Sequence, residues 1–284
     1  MTRARPREAP PVQGTVSAGD TGENRLVRAL AERKARGGRA LIPYVMAGDP
    51  DPRATEQLVG LLVDAGADAV ELGVPFSDPI ADGPVNQRAG LRALSHGMGL
   101  RPALDLVSRL RKTTQVPLAF MTYYNLLLQY GLGAFCRDAV QAGLDGVIIA
   151  DLPPEEGADL VATARAAGLA TIFLLAPTST EERIRAVAAA STAFIYCVSR
   201  TGVTGVQDAL PEGLAELVGR IKAQTATPVC VGFGISRPSQ AREVAAVADG
   251  VIVGSALVRM IEENPRDLER IGAFVRDLRE AVGG

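Results

Sequence analysis

Short apolar runs alternate along the chain with longer stretches in which apolar residues recur at every third or fourth position. Runs that are apolar on both faces and separated by helices are typical of parallel strands in a sheet covered on both sides. We therefore predict eight strands, at residues 40–46, 69–72, 117–121, 146–150, 170–175, 193–198, 228–231 and 250–253.

The stretches between these runs have the spacing of amphipathic helices, and several end in Ala-Gly, a common signal for a helix C-terminus. Two further helices are predicted outside the repeat, one before the first strand at 23–36 and one after the second strand at 85–94. Eight strand–helix units predict a single (β/α)8 TIM barrel, an α/β fold, with a doubly wound open sheet as the alternative. The repeating helices are predicted at residues 52–65, 101–111, 134–142, 155–167, 181–190, 211–223 and 238–247.

The first 22 residues differ in composition from the rest of the chain. They are rich in Arg, Pro, Gly and Thr and contain no apolar segment. Such a composition offers little surface to bury, so we expect residues 1–22 to be a disordered tail. Residues 23–284 are expected to form one catalytic barrel domain, since 47% of the 284 residues are hydrophobic and supply an ample core.

Composition and charge argue against several classes of function. The net charge is −2 without a basic stripe, which argues against nucleic acid as a partner. No run approaches the roughly 18 apolar residues of a membrane span. His96 is the single histidine, which excludes a multi-histidine metal site. Cys136, Cys197 and Cys230 lack paired spacing, so we expect small core residues in a reducing cytoplasm.

The densest group of charged and turn-forming residues follows the second predicted strand. It runs from Glu71 to Asp82 as Glu-Leu-Gly-Val-Pro-Phe-Ser-Asp-Pro-Ile-Ala-Asp and continues with Gly-Pro. A carboxyl group at the end of a buried strand is costly unless it is paired or used, and a proline-rich loop is stiff. Because barrel active sites lie at the carboxyl ends of the strands, we predict that Glu71 and Asp82 are held in place for proton transfer.

Glycine-rich loops follow the seventh and eighth predicted strands. Backbone N–H groups at the start of a helix bind anions, and glycine lets the backbone approach the ligand closely. We therefore predict a phosphate site at Gly234, Gly254 and Ser255, with Gly205 as a further donor; the alternative is ordinary turn glycines. The polar segment 199–211 after the sixth strand is a candidate lid or, equally, a surface loop without a role.

Aromatic residues make up only 4% of the chain, yet four of them lie at or near predicted strand ends. Tyr44, Tyr123, Tyr196 and Phe233 at one barrel mouth predict a flat apolar substrate. The alternative for each is that it fills the barrel core.

Two other polar residues have simpler interpretations. Asp151 ends the fourth predicted strand, where it can contact the substrate or cap the helix that follows. His96 ends the extra helix after the second strand and is expected to have no chemical role.

The segment from Glu71 to Pro84 closely resembles the signature of the tryptophan synthase α-subunit family. The resemblance covers about 260 residues, everything but the tail. It implies cleavage of indole-3-glycerol phosphate to indole and glyceraldehyde 3-phosphate, with no cofactor in this chain. It also implies an α2β2 assembly, in which a β subunit with pyridoxal phosphate (PLP) takes up the indole. The other matching segments are Pro43-Tyr-Val-Met-Ala-Gly-Asp-Pro50, Tyr123-Tyr-Asn125, Ala150-Asp-Leu-Pro153, Ser199-Arg-Thr-Gly-Val-Thr-Gly205, Gly232-Phe-Gly-Ile-Ser236 and Gly254-Ser255.

The resemblance also implies roles for individual residues. Glu71 matches the catalytic glutamate and Asp82 the catalytic aspartate of the family. Phe194 departs from the pattern, since some members carry a second tyrosine there, which puts one hydroxyl contact in doubt. The remaining matches are Tyr196 beside the catalytic acids, Thr204 in the lid, Tyr44, Tyr123 and Phe233 around the indole, and Gly205, Gly234, Gly254 and Ser255 around the phosphate.

Other classes of function compete with this interpretation. One is a different phosphate-binding barrel, such as a sugar-phosphate epimerase or isomerase, although the metal-dependent enzymes need several histidines. Another is a regulatory module without turnover, against which the intact pair Glu71 and Asp82 argues. A stand-alone lyase that releases its indole is also compatible with the sequence.

Overall fold

The computed structural model describes residues 24–198, 213–232 and 234–283. All eight predicted runs form strands, and the fifth is divided at Phe173 into two short strands, so that eight runs give nine strands. The predicted tail 1–22 lies outside the described residues. The strands are β1 (Ala40–Met46), β2 (Val70–Gly73), β3 (Leu118–Thr122), β4 (Gly146–Ile149), β5 (Ala170–Ile172), β6 (Leu174–Leu175), β7 (Ile195–Val198), β8 (Val229–Gly232) and β9 (Gly250–Val253).

All pairings in the sheet are parallel, in the order β5-β4-β3-β2-β1-β9-β8-β7-β6. The two ends of this order, β5 and β6, are consecutive pieces of one segment, which pairs with β4 on one side and β7 on the other. The break between them is bridged by the N–H of Tyr196, which donates to the carbonyl of Phe173 over 3.0 Å. The sheet therefore closes on itself, and the predicted (β/α)8 barrel is confirmed.

Both predicted extra helices are present in the structure. The helix α1 (Arg25–Ala35) precedes β1, and α3 (Pro84–Ser95) follows β2. No helix of the described part of the chain is long and apolar enough to cross a bilayer. The other helices are α2 (Pro52–Asp64), α4 (Leu100–Leu110), α5 (Tyr124–Tyr130), α6 (Leu132–Ala142), α7 (Ala158–Ala167), α8 (Glu181–Ala190), α9 (Leu214–Lys222), α10 (Pro238–Ala245), α11 (Ser255–Glu263) and α12 (Leu268–Ala281).

The core has two layers, one between the sheet and the helices and one inside the barrel. Helix α1 covers the amino ends of the strands, and its Leu26 and Leu30 enter the interior layer. Arg25 of α1 fixes this position through an ion pair of 2.7 Å with the buried Asp145, just before β4. The bottom of the barrel is thereby closed, and access to the interior is left to the carboxyl ends of the strands.

The three cysteines are free and buried, as expected for core residues. Cys136 lies on α6, Cys197 on β7 and Cys230 on β8. Burial raises the pKa of each thiol, which disfavours the reactive thiolate.

Candidate active site

Glu71 lies in β2, opposite Tyr44 of β1 and Ala119 of β3. Alternation along the strand puts Glu71 on the same face as Ala69, which belongs to the barrel interior. Its side chain is fully buried, and neither carboxyl oxygen has a hydrogen-bond partner among the described residues. Burial, and then the nearby charge of Asp82, raise the pKa of Glu71 to about 8. The carboxyl group is therefore protonated at neutral pH and can give up that proton.

Asp82 lies in the loop between β2 and α3, two residues before the helix begins. The hydroxyl of Tyr123 donates to its Oδ2 over 2.8 Å and itself accepts from the N–H of Ala81 over 3.2 Å. Gln87 Nε2 donates to the backbone carbonyl of Asp82 over 2.9 Å. Burial raises the pKa of Asp82, while the hydrogen bonds from Tyr123 and Asn86 lower it. Hydrogen bonds thus fix both the backbone and the carboxylate of Asp82.

Tyr44 and Tyr196 are buried, and each lies over a strand-end glycine. A Cβ added at Gly73 would lie 2.1 Å from the hydroxyl oxygen of Tyr44, and one at Gly232 would lie 2.5 Å from that of Tyr196. The missing side chains therefore provide the space that the two phenol groups occupy. Burial raises the pKa of both tyrosines well above its usual value, and the nearby carboxyl charges raise it further. Both hydroxyls stay neutral beside the two acids.

Tyr123 and Phe76 extend this aromatic group onto the loop that carries Asp82. Their ring centroids are 5.1 Å apart and the rings are tilted by 35°. Tyr123 lies directly after β3, so that its ring contacts the loop while its hydroxyl contacts the carboxylate. The mouth of the barrel therefore combines aromatic walls with two carboxyl groups.

The glycine-rich loops after β8 and β9 lie side by side, because these strands are paired. Gly254 is the N-cap of α11, no side chain caps that helix, and Ser255 is buried in its first turn. By contrast, Gln240 Oε1 accepts from the N–H of Ser236 over 2.9 Å at the start of α10. Gly234 has a positive φ of 60°, a conformation that favours glycine. The open helix start at Gly254 and Ser255 is thus suited to an anion.

Three predicted site residues lie outside the described residues: Thr204, Gly205 and Phe233. The candidate lid at 199–211 lies there as well. The described site residues lie within or after the strands β1, β2, β3, β7, β8 and β9; they are Glu71, Asp82, Tyr44, Tyr123, Tyr196, Gly234, Gly254 and Ser255.

Asp151 and His96 have structural roles. Asp151 Oδ1 accepts from the N–H of Tyr124 over 2.8 Å, so it satisfies the first turn of α5. The sequence suggested a cap on the following helix, but α7 begins only at Ala158, beyond the reach of an ordinary cap. His96 is the C-cap of α3, as expected.

Sequence reasoning missed three residues at this site: Asn86, Gly73 and Gly232. Asn86 lies buried in the first turn of α3 and donates to Asp82 Oδ1 over 3.5 Å. The sequence signal that could have identified Asn86 is an amide side chain within the apolar stripe of a helix. Gly73 and Gly232 end their strands, but only the packed structure reveals that tyrosine hydroxyls lie above them.

The fold and the site define a (β/α)8-barrel protein with two carboxyl groups, aromatic walls and an open helix start at one mouth. The family model described as tryptophan synthase alpha chain matches residues 30–282. A tryptophan synthase alpha chain from Geobacter sulfurreducens is 50% identical over 262 residues, which cover 92% of this chain and 99% of that protein. One from Opitutus terrae is 48% identical over 250 residues, or 88% and 94% of the two chains.

Solved tryptophan synthase structures have the same fold as this chain. Tryptophan synthase subunit alpha from Legionella pneumophila has a TM-score of 0.83 and 40% identity, over 92% of this chain and 99% of that one. A tryptophan synthase structure from Mycobacterium tuberculosis has a TM-score of 0.85 and 40% identity, again over 92% and 99%. The chain belongs to the tryptophan synthase alpha chain family.

Proposed function

We propose that this chain is a carbon–carbon lyase that cleaves indole-3-glycerol phosphate to indole and glyceraldehyde 3-phosphate. The observation that carries the proposal is Glu71, a fully buried carboxyl group without a hydrogen-bond partner and with a pKa raised to about 8. A buried acid of this kind at a barrel mouth is expensive to keep unless it transfers protons. Membership of the family supplies the reaction class.

Glu71 serves in turn as acid and base. In the protonated form it gives its proton to C3 of the indole ring, which converts the ring to an indolenine cation. The resulting carboxylate takes the proton from the hydroxyl group on the adjacent side-chain carbon. The electron pair of that O–H bond forms the aldehyde, the C3–carbon bond breaks, and its electron pair restores the indole. Glu71 ends the cycle protonated, as it began.

Asp82 stabilises the positive charge that protonation of C3 produces on the ring nitrogen. The developing N–H dipole points at a carboxylate that Tyr123 already orients, so little reorganisation is needed during the reaction. Tyr44, Tyr123 and Tyr196, with Phe233, form the walls around the flat ring. The family resemblance assigns Thr204 to a lid over Asp82.

The phosphate group binds at Gly234, Gly254 and Ser255, with a further N–H from Gly205. Support comes from the start of α11, where no side-chain cap fills the first turn. Binding at this remote point holds C3 near Glu71, so phosphate affinity is used to orient the reacting carbon.

We propose that the chain works in the cytoplasm with a PLP-dependent β subunit, in an α2β2 assembly, and passes indole to it. We propose residues 23–284 as the catalytic domain. Indole is small and apolar and would escape through membranes from open solution. Ile80, 77% exposed in the loop that carries Asp82, and the exposed Leu128 on α5 offer apolar contacts near the mouth.

The direct test is a product assay on the purified chain, alone and with its cognate β subunit. The proposal predicts equal amounts of indole and glyceraldehyde 3-phosphate from indole-3-glycerol phosphate, without added metal or PLP for the chain alone. Release of neither product, with the β subunit nevertheless stimulated, would favour the regulatory module. Fast turnover alone, unaffected by the β subunit, would favour the stand-alone lyase.

A further inference from the structure

Asn86 is an anomaly in the packing of α3. The buried residues of this helix are Val85, Asn86, Ala89, Gly90 and Ala93, so the amide lies within an otherwise apolar stripe. Its exposure is only 6%. Burying an amide costs free energy unless its donor and acceptor groups find partners. A helix that needed Asn86 only for packing would place an aliphatic side chain there.

The amide nitrogen of Asn86 has a hydrogen-bond partner, whereas its amide oxygen has none among the described residues. Nδ2 donates to Oδ1 of Asp82 over 3.5 Å, while the other oxygen of that carboxylate accepts from Tyr123 over 2.8 Å. The Oδ1 atom of Asn86 is buried and has no hydrogen-bond partner among the described residues. An unpaired acceptor therefore lies beside the carboxylate that faces the proposed ring nitrogen.

We infer that Asn86 acts in the reaction in two ways: its amide donates to Asp82 and keeps that carboxylate ionised and oriented, and its unpaired Oδ1 gives the substrate N–H a second acceptor. This inference rests on the proposed function, since the N–H belongs to the indole ring. The weak 3.5 Å contact shortens when the ring N–H draws the two side chains together. Tyr123 and Asn86 would then each hold one oxygen of the Asp82 carboxylate.

Several groups bear on the ionisation of Asp82 within the described structure. Tyr123 at the end of β3 and Asn86 on α3 donate to it, and both bonds lower its pKa against the effect of burial. The charge of Asp82 in turn raises the pKa of Glu71 on β2, of Tyr44 on β1 and of Tyr196 on β7. The tyrosines stay neutral, so Glu71 is the neighbouring group whose ionisation responds to the charge of Asp82 near neutral pH.

The limbs of the pH profile can therefore be assigned. Asp82 must be ionised, so its protonation sets the acid limb of kcat/KM. Glu71 must be protonated, and its pKa of about 8 sets the alkaline limb. Loss of a donor to Asp82 raises the pKa of that carboxyl and moves only the acid limb to higher pH.

The test compares Asn86→Leu with Gln87→Leu in the full-length chain, assayed with its β subunit. Asn86→Leu keeps the branching and the number of heavy atoms but removes the donor and the acceptor. We expect kcat/KM to fall about 5–20-fold, mainly through kcat, with the acid limb moved to higher pH. Gln87→Leu removes an amide bond to the Asp82 backbone rather than to its carboxylate. It should leave the acid limb in place, whatever its effect on rate.

Asn86→Asp keeps the shape of the side chain and guards against misfolding of the leucine variant. It adds a second carboxyl group beside Asp82, so mutual repulsion should move the acid limb further than Asn86→Leu does. An acid limb at the wild-type position in both Asn86 variants, whether or not activity falls, would overturn the inference and leave Asn86 a packing residue. Failure of the wild-type chain to release indole would instead overturn the proposed function.

Discussion

At the scale of single residues, the buried carboxyl group of Glu71 lowers the stability of the fold at neutral pH, although the proposed reaction requires it. Its carboxyl group is ionised in the unfolded chain above a pKa of 4.5 but neutral in the folded chain up to about 8. Between these values the folded state holds one more proton than the unfolded state. The free energy of unfolding therefore falls as pH rises through this window, because folding is coupled to the uptake of a proton and the proton concentration decreases. A barrel without this acid would be more stable at neutral pH and, under the proposed mechanism, inactive.

This conflict predicts the effect of Glu71→Gln on unfolding. The amide cannot ionise, so the variant should escape the pH-dependent cost. Relative to wild type, its free energy of unfolding should rise by about 2–3 kcal/mol between pH 5 and pH 7. Urea unfolding at the two pH values measures this difference. Glu182→Gln makes the same chemical change at an exposed position on α8 and is the matched control. A pH-independent difference for Glu71→Gln would show that this carboxyl is not held neutral.

Much of the residue-level picture could be predicted from sequence. A strand-end acid followed by a proline-rich loop marks Glu71 and Asp82, because the signal is local. The hydrogen bond from Tyr123 to Asp82 could not be predicted, since the two are 41 positions apart and their contact depends on strand register. Asn86 was missed for the opposite reason: it is close in sequence, but its direction depends on where α3 begins.

At the scale of elements, the alternation of apolar runs predicted every strand to within one or two residues, since each strand is buried on both faces. The division of the fifth run into β5 and β6 was not predictable, because local composition does not encode which neighbour each half pairs with. The helices α5, α11 and α12 were also missed. The seven residues of α5 follow β3 after one residue, and the N-cap residue Tyr123 makes no side-chain capping bond.

The starts of α10 and α11 lead to a prediction about phosphate. At the start of α10, Gln240 accepts from the N–H of Ser236, whereas no side chain caps the first turn of α11. Gly234 has a positive φ of 60° in the adjacent loop. Gly234→Val should weaken binding of glycerol phosphate and of substrate alike, by about tenfold or more, because the backbone must shift and the side chain obstructs the anion.

Gly37→Val is the matched control for this prediction. Gly37 also has a positive φ, of 75°, and an added Cβ would have no neighbour within 4 Å. It precedes β1, at the opposite end of the barrel. It incurs the same backbone strain without approaching the mouth. Calorimetry with glycerol phosphate separates the two variants. Equal affinities for Gly234→Val and wild type would remove Gly234 from the phosphate site.

At the scale of the whole molecule, ion pairs join the parts of the mouth. Arg92 of α3 binds both oxygens of the buried Asp49 after β1, at 2.7 and 3.0 Å, and also binds Glu262 of α11 at 2.7 Å. Arg88 of α3 adds two further bonds to Glu262. The helix that follows Asp82 is thus tied to the helix that begins at the proposed phosphate site. We therefore expect movement of the loop 75–84 to reach α11 through α3.

This connection predicts how a partner would act. If the β subunit docks on the loop 75–84, it should raise turnover by about 5–150-fold, the range of ordinary allosteric coupling. Ile80→Glu should weaken that stimulation by about tenfold or more in half-maximal β-subunit concentration, since it puts a charge in the contact. Leu91→Glu makes the same change at an exposed apolar residue on α3 and should not. Equal stimulation of both variants would place the contact elsewhere.

The central claim is that Glu71 both gives and takes the proton in carbon–carbon cleavage. The most direct measurement is the rate of indole release from indole-3-glycerol phosphate by Glu71→Gln, with glycerol phosphate affinity as the check that the site is intact. Gln cannot transfer protons, so the rate should fall by about 10⁴-fold or more while that affinity stays within about twofold of wild type. A variant that binds normally and keeps a rate within about tenfold of wild type would contradict the account.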